Sequence, residues 1–550
     1  MNCFISSRVS STIPLLSSFM QQATLPVDGG SLISPFSQAG QRRLAFWSVI
    51  FIAFCIGLLN INRDLYETTE GRYAECAREM LVNMDFSHPT LNNDAHWTKP
   101  PLTYWAIAAG IYIADGGEWG VRLYLLFSFI GATVCVYWLA DKIWGASAAP
   151  ICALVYCTSL YPAVSSDIVS TDALLTFWEA LVLLFFWIGF SERKAWAYIA
   201  MWSALGAAFM TKGPPGLLFF LAIAPTYYIG KRNGKGGPSL FSPIGIICFI
   251  VIGLGWYIYE AIQTPGLLHY WLGSEVYERV LTDHFKRNSH WTNIFTVYGT
   301  ILLFGSMPWA LVLLFHFKRI FQKSSRVFRS IFQPGYLHYF LLSMAIITPF
   351  IIFCISESRL HLYLLPLFVP ISLLVGRGVF DFFEAVTLKR YFIGVLALAL
   401  LLVCTGKIVV ASKKSRKSMK PVAMQVDDVL ASLDDKTELY YFGDQIPYSV
   451  QYYLGRPIEQ IIVNNEDAKS HFTIQSIQQH FIVDLQSHIR PVVLVDRGHL
   501  TMLEDLLFGY APNVEILNFS GRQVPSIPTP VPIDQEVEHS KSDVILIVIH

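Results

Sequence analysis

Few residues in this chain could act on a substrate, and they gather in short polar stretches between long apolar runs. The densest reads Arg63-Asp64-Leu65-Tyr66-Glu67-Thr68-Thr69-Glu70-Gly71-Arg72-Tyr73-Ala74-Glu75-Cys76-Ala77-Arg78-Glu79-Met80-Leu81, and its later part predicts an amphipathic helix. If that helix ran from the beginning of the stretch, Asp64, Glu67 and Glu70 would stack on one face at three-residue spacing. Stacked carboxylates repel unless they share a cation or a proton, so such a face could hold a divalent metal ion or a general base of raised pKa. The plainer expectation is a solvated helix face with Asp64 as its N-cap, and composition alone favours it.

Four further stretches carry lone charges beside apolar runs. Lys99 precedes Pro100-Pro101, where it would serve as a phosphate-binding cation or as a snorkelling anchor. Ser165-Ser166-Asp167-Ile168-Val169-Ser170-Thr171-Asp172 puts Asp172 almost at lipid depth, where a carboxylate needs a partner. Thr211-Lys212-Gly213-Pro214 sets a lysine at a helix end, and Arg359 stands shortly before Tyr363. Each of these cations could bind a phosphate. Acids (Glu70, Asp172) and bases (Arg72, Lys99, Lys212, Arg359) on one side of a membrane are what binding a lipid phosphate beside an acceptor requires.

The elements that must hold these groups are membrane helices. The 550 residues are 53% hydrophobic, 14% aromatic and only 15% charged, too apolar for an ordinary soluble enzyme of this length. A net charge of zero, with no basic stripe, excludes a nucleic-acid partner. The nine cysteines lie mostly inside apolar runs and show no metal-ligand spacing. Eleven spans are expected, at 44–61, 119–140, 147–163, 172–190, 196–211, 216–230, 243–260, 294–316, 337–355, 361–377 and 391–411. Leu102 to Ala114 is apolar but short, which suits a helix lying on the surface. With that choice Arg42-Arg43, Lys142, Arg193-Lys194, Lys231-Arg232, Lys318-Arg319 and Lys389-Arg390 all fall on the cytoplasmic side.

The expected architecture is therefore an all-α polytopic membrane protein with a small C-terminal periplasmic α/β domain. Residues 1–43 read as a disordered cytoplasmic extension, with a start site placed too far upstream as an equal alternative. Residues 44–411 form the membrane domain with outward loops 62–118 and 261–293, residues 412–524 the α/β domain, and the Pro-rich 525–550 a flexible end. Strands are expected at Thr437 to Phe442, Pro491 to Asp496 and Val514 to Leu517, and a helix at Met424 to Leu433.

In order and spacing, these motifs resemble the aminoarabinose transferase group of the protein O-mannosyltransferase superfamily, which shares the membrane GT-C architecture. That group's first-loop pattern is Asp-Glu-x-Arg-Tyr-Ala, then Arg-Glu-Met, then Lys-Pro-Pro-Leu-x-Tyr-Trp. Here it reads Thr69-Glu70-Gly71-Arg72-Tyr73-Ala74, Arg78-Glu79-Met80 and Lys99 to Trp105. Asp172, Thr211 to Pro214, Pro308-Trp309 and Arg359 to Pro366 match later marks, with Arg359 in place of a lysine. The resemblance covers about residues 44 to 380 and the tail only loosely.

The resemblance implies a fold of about 11 to 13 transmembrane helices. It implies an inverting glycosyltransferase of the bacterial inner membrane, with a polyprenyl-phosphate-sugar donor bound from the membrane plane. The acceptor, lipid A, another glycan or a protein, would enter from the periplasm. Arg72, Tyr73, Lys99, Lys212, Arg359 and Tyr363 would then hold the carrier phosphate and sugar, and Asp172 would orient the acceptor or a metal ion. Thr69 stands where the group has its first acid, so that role would pass to Glu70 with Asp64 or Glu67. A lipid-linked substrate transporter or flippase is the alternative, although the interrupted-helix repeats typical of transporters are absent from the pattern.

Overall fold

The computed structural model describes residues 38–67, 69–235, 237–278, 288, 290–314, 330–386, 389–412, 418–433, 436–443, 446–461, 484, 489–496, 499, 503, 514–518, 522–523 and 544–549. They fall into two compact units. One comprises the residues up to Ile61 with Trp97–Ala106 and Arg122–Ser412, the other Asn62–His96, Ile107–Val121 and the residues from Lys413 onward. The expected extension 1–43 lies outside the described residues as far as residue 37.

The first unit is a helical bundle. Its chain runs through α1 (Gln38–Leu58), the start of α3 (Leu102–Ala114), α4 (Glu118–Trp144) from Arg122 onward, α5 (Ala149–Thr158), α6 (Leu160–Ser165), α7 (Thr171–Glu192), α8 (Ala195–Lys212), α9 (Phe220–Arg232), α10 (Pro243–Gln263), α11 (Ile294–Phe304), α12 (Trp309–Leu314), α13 (Leu337–Ile355), α14 (His361–Glu384) and α15 (Lys389–Ser412). Among the described residues seven helices are long and apolar enough to cross a membrane. Helix α3 coincides with the segment expected on the surface, and its 13 residues run about 20 Å, short of a hydrocarbon core of about 30 Å.

Two expected spans are broken helices. The segment over 147–163 divides at Ser159, whose extended backbone separates α5 from α6, and the segment over 294–316 divides between α11 and α12. Backbone groups left open inside an apolar bundle need partners. The two breaks supply each other: Leu160 N–H donates to Met307 O at 3.3 Å and Tyr161 N–H to Gly305 O at 3.0 Å. The indole N–H of Trp309 closes the junction on Thr158 Oγ1 at 2.9 Å.

The second unit joins residues 62–96 and 107–121 to the tail. Helix α2 (Thr69–Asn83) buries Glu75 and Glu79 on its inner face. Glu79 accepts from the N–H groups of Asn92 and Asn93 and from the Thr90 hydroxyl. It thereby fixes the turn between β1 (Thr90–Leu91) and β2 (Asp94–Ala95), where both asparagines have positive φ, as a two-residue hairpin demands.

The tail forms α16 (Lys420–Ser432), α17 (Tyr448–Leu454) and a six-stranded sheet of β3 (Lys436–Phe442), β4 (Glu459–Ile461), β5 (Ile489–Asp496), β6 (Val514–Asn518), β7 (Arg522–Gln523) and β8 (Val544–Ile549), in the order β4-β3-β5-β8-β6-β7. The three expected strands form within a residue or two of their expected ends. The end 525–550, expected to be flexible, contributes β8, which pairs antiparallel with both β5 and β6. Val544-Ile545-Leu546-Ile547-Val548-Ile549 is a continuous apolar run, the pattern of a strand covered on both faces.

Burial pushes the Glu75 carboxyl up to about 7, against the opposing pull of Arg78, whose guanidinium grips it with two bonds of 2.7 Å. The folded state therefore holds this proton more tightly than the unfolded chain, and the group's contribution to stability falls as pH rises from about 4.5 to about 7. Thermal unfolding of the detergent-solubilised protein should show that fall between pH 5 and pH 8, and Glu75→Gln should flatten it.

Candidate active site

Asp172 and Lys212 meet because a helical hairpin ends at both of them. Helices α7 and α8 are joined by two residues and pack along their length, so the start of α7 and the end of α8 lie side by side. Ser170 caps α7, its hydroxyl accepting the Asp172 N–H, which leaves the Asp172 carboxylate in the first turn at the positive end of the helix dipole. Lys212 closes α8 at the negative end of its dipole. Gly213 then takes a backbone of φ 75° open to glycine, and Pro214 prevents the helix from continuing. The lysine ammonium forms an ion pair with Asp172 and lies 4.4 Å from the centre of the Tyr363 ring. All of this is largely buried, with the two side chains only 9% and 8% exposed.

The turn leading to Asp172 is held from beneath. Lys407 in α15 is fully buried and donates to Asp167 Oδ1 at 2.6 Å, Ser166 Oγ at 3.0 Å and Ile56 O at 2.7 Å. Asn60 donates to Asp167 Oδ2 at 3.1 Å, and Arg122 donates to the carbonyls of Asp167 and Ile61. Tyr124 clamps Ser170 by accepting its N–H and donating to its carbonyl.

The other expected cations of this unit are also engaged. Lys99, set by Pro100-Pro101 at the start of α3, pairs with Glu275 at 3.1 Å. The neighbouring Trp97, Trp256 and Trp271 pack as a cluster. Arg359 is buried and gives its terminal N–H groups to the carbonyls of Asn288, His290 and Cys354. It thus fixes the loop before Tyr363 by hydrogen bonds and would act on a ligand through its charge. The structure brings Asp172, Lys212 and Tyr363 together, with Lys99 and Arg359 each tied to its own partners.

The acid face expected from Asp64, Glu67 and Glu70 does not form. Helix α2 begins at Thr69, so Asp64 and Glu67 precede it, and each carboxylate has a separate partner. Asp64 accepts from the Ser418 hydroxyl at 2.7 Å. Glu67 accepts the N–H of Ser449 at 2.9 Å, together with its hydroxyl, capping α17, while burial raises its carboxyl pKa against that hydrogen bonding. Glu70 is buried, paired with Arg63 at 2.7 Å and accepting the Tyr66 N–H at 2.9 Å. Thr69 is exposed, Tyr73 is buried, and Arg72 is half-buried within electrostatic reach of Glu67. Gly71 is required here because a Cβ would come within 2.4 Å of Ser449 N. Among the described residues no three His, Cys, Asp or Glu side chains converge as metal ligands.

Sequence reasoning passed over Glu179, Tyr161, Tyr298 and Lys407, which lie inside apolar runs. Glu179 and Lys407 carried a signal, a lone ionisable residue within a span. The tyrosines carried none, being ordinary in apolar helices. Because Glu67 caps a helix, Glu67→Gln should lower the unfolding free energy by about 1 kcal/mol and leave the turnover of the folded protein close to wild type, read from thermal melts and rates on the same preparation.

Comparison with known proteins follows this geometry. The family described as dolichyl-phosphate-mannose-protein mannosyltransferase matches residues 98–276. An undecaprenyl phosphate-alpha-4-amino-4-deoxy-L-arabinose arabinosyl transferase of Edwardsiella ictaluri is 28% identical over 61% of this chain and 59% of its own length. A Pseudomonas fluorescens protein of the same name, numbered 1, is 28% identical over 61% of this chain and 60% of its own. The chain thus matches about three-fifths of the length of these relatives. The crystal structure of ArnT from Cupriavidus metallidurans bound to undecaprenyl phosphate has a TM-score of 0.67 at 17% identity, covering 93% of this chain and 98% of that one, and its apo form a TM-score of 0.66. At that identity the likeness is one of fold. The chain is thus similar in sequence to these aminoarabinosyl transferases over about three-fifths of its length, has the fold of ArnT, and carries seven helices long and apolar enough to cross a membrane among its described residues.

Proposed function

We propose that the chain is an inverting glycosyltransferase that moves a sugar from a polyprenyl-phosphate carrier to a periplasmic acceptor, lipid A in the first instance, with another glycan or a protein as the other acceptor classes. The observation that carries this reading is the Asp172–Lys212 pair with Tyr363 beside it, buried at the end of a helical hairpin in a chain of ArnT fold. The relatives' names supply the donor class, an undecaprenyl phosphate-linked aminoarabinose. Opening toward the periplasm agrees with the basic loops on the opposite side of the spans.

In this reading an acceptor oxygen attacks the anomeric carbon of the sugar from the face opposite the phosphate. The bond from that carbon to the phosphate oxygen breaks, and its electron pair leaves with the carrier phosphate. Lys212 and Tyr363 stabilise the charge that grows on the departing phosphate, where a low-dielectric setting strengthens their effect. A hydroxyl acceptor passes its proton to the Asp172 carboxylate, whereas a phosphate acceptor is already ionised and needs no base. Lys99 and Arg359 contribute positive potential.

Transfer should be measured in membranes supplied with a polyprenyl-phosphate-linked sugar, alongside envelope glycan profiles with and without the gene. Asp172→Asn should abolish transfer at unchanged membrane abundance, while wild-type turnover in that variant would reduce Asp172 to a helix-end group.

A further inference from the structure

Two buried polar atoms beside the Asp172–Lys212 pair have no hydrogen-bond partner. Tyr298, in the first part of α11, is fully buried, and its hydroxyl makes no hydrogen bond. That part of α11 packs on the helical turn His361–Leu367, which carries Tyr363. Tyr363, Arg359 and Asp172 all lie within electrostatic reach of the Tyr298 hydroxyl. Glu179, two turns into α7 from Asp172, is buried as well, and its Oε1 is unpartnered in the electrostatic neighbourhood of Lys212 and Asp172.

A buried hydroxyl without a partner destabilises a fold, and phenylalanine would fill the same space without that penalty. Tyr161 shows the usual solution in the same cluster, its hydroxyl donating to the His361 carbonyl at 2.5 Å. Tyr298 has no such outlet. Of the groups around it, Arg359 can only donate, Lys212 already holds one oxygen of the Asp172 carboxylate, and none of them hydrogen-bonds the Tyr298 hydroxyl. A ligand that brings an acceptor into this cluster would satisfy it. A phosphate, with several anionic oxygens, can accept from Tyr298 and Tyr363 while compensating the nearby cations.

We propose that the Tyr298 hydroxyl is a further binding group of this site, donating a hydrogen bond to a phosphate oxygen of the lipid-linked donor beside Lys212 and Tyr363. This inference rests on the donor class proposed above. The bond forms only when the ligand is present, so the empty protein carries the cost of the unpaired hydroxyl and the loaded one does not.

The test uses the purified full-length protein in lipid nanodiscs, with a polyprenyl monophosphate as probe and binding read by titration and by the ligand-induced rise in melting temperature. Ligand-free Tyr298→Phe should melt at or above wild type, yet bind the probe about tenfold to a hundredfold more weakly, the loss expected for one hydrogen bond to a charged group. Unchanged affinity in Tyr298→Phe, with Lys212→Met weakened, would overturn the role of Tyr298 and leave the donor class standing. A ligand-free Tyr298→Phe that melts well below wild type would make the hydroxyl structural and overturn it too. Absence of any wild-type binding to the probe would overturn the donor class and this inference together.

Discussion

An ammonium and a carboxylate facing each other at the ends of one helical hairpin set the terms for the membrane unit. Neither Asp172 nor Lys212 could be kept at that depth alone, since a lone charge near hydrocarbon is expensive. Together, each at the helix end whose dipole it complements, they are tolerable. The arrangement also leaves the empty site electrically balanced. In the proposed reaction a phosphate approaching Lys212 would compete with Asp172, and where it succeeded the carboxylate would be freed beside the bound group. Binding of the anion and release of the acid would then be a single exchange, which suits a reaction needing a cation at the leaving group and a base at the acceptor.

That exchange requires a firm turn beneath it. The connection before α7 is fastened by Lys407, Asn60, Arg122 and Tyr124, drawn from helices far apart in the chain. The interrupted helices around Ser159 and residues 305–307 close on each other's backbone groups, so irregular chain inside the bundle still leaves those N–H groups paired. One of these interruptions ends in α6, whose Tyr161 reaches the loop that carries Tyr363.

The membrane character, the positions of the helices and the three long tail strands were legible because apolar length and alternation are strong local signals. Thr211-Lys212-Gly213-Pro214 was legible as a helix end for equally local reasons. Two things were not. The carboxylates of Asp64, Glu67 and Glu70 share a spacing that fits a helix, but their partners, Ser418, Ser449 and Arg63, decide what they do, and two of these lie more than 350 residues away. Tyr298 and Glu179 sit in runs whose hydrophobicity hides a polar atom that acquires meaning only from neighbours on other helices. Within the end 525–550, the strand at 544–549 was not legible because the prolines before it outweighed its short apolar run.

Strand β8 lies between β5 and β6, and Glu67 reaches a partner 382 residues further along the chain. Contacts of such sequence separation close slowly, because the loop entropy is spent before any contact repays it. On a ribosome, residues 62–96 are made long before residues 449 and 544–549. Until then Glu67 lacks the helix it caps, and β5 and β6, once made, keep open edges until β8 pairs with both, the kind of surface on which assembly factors act or aggregation begins. The second unit thus completes its sheet only once residues 544–549 have been made, and the time between synthesis of residues 62–96 and pairing of β8 is when it is most vulnerable.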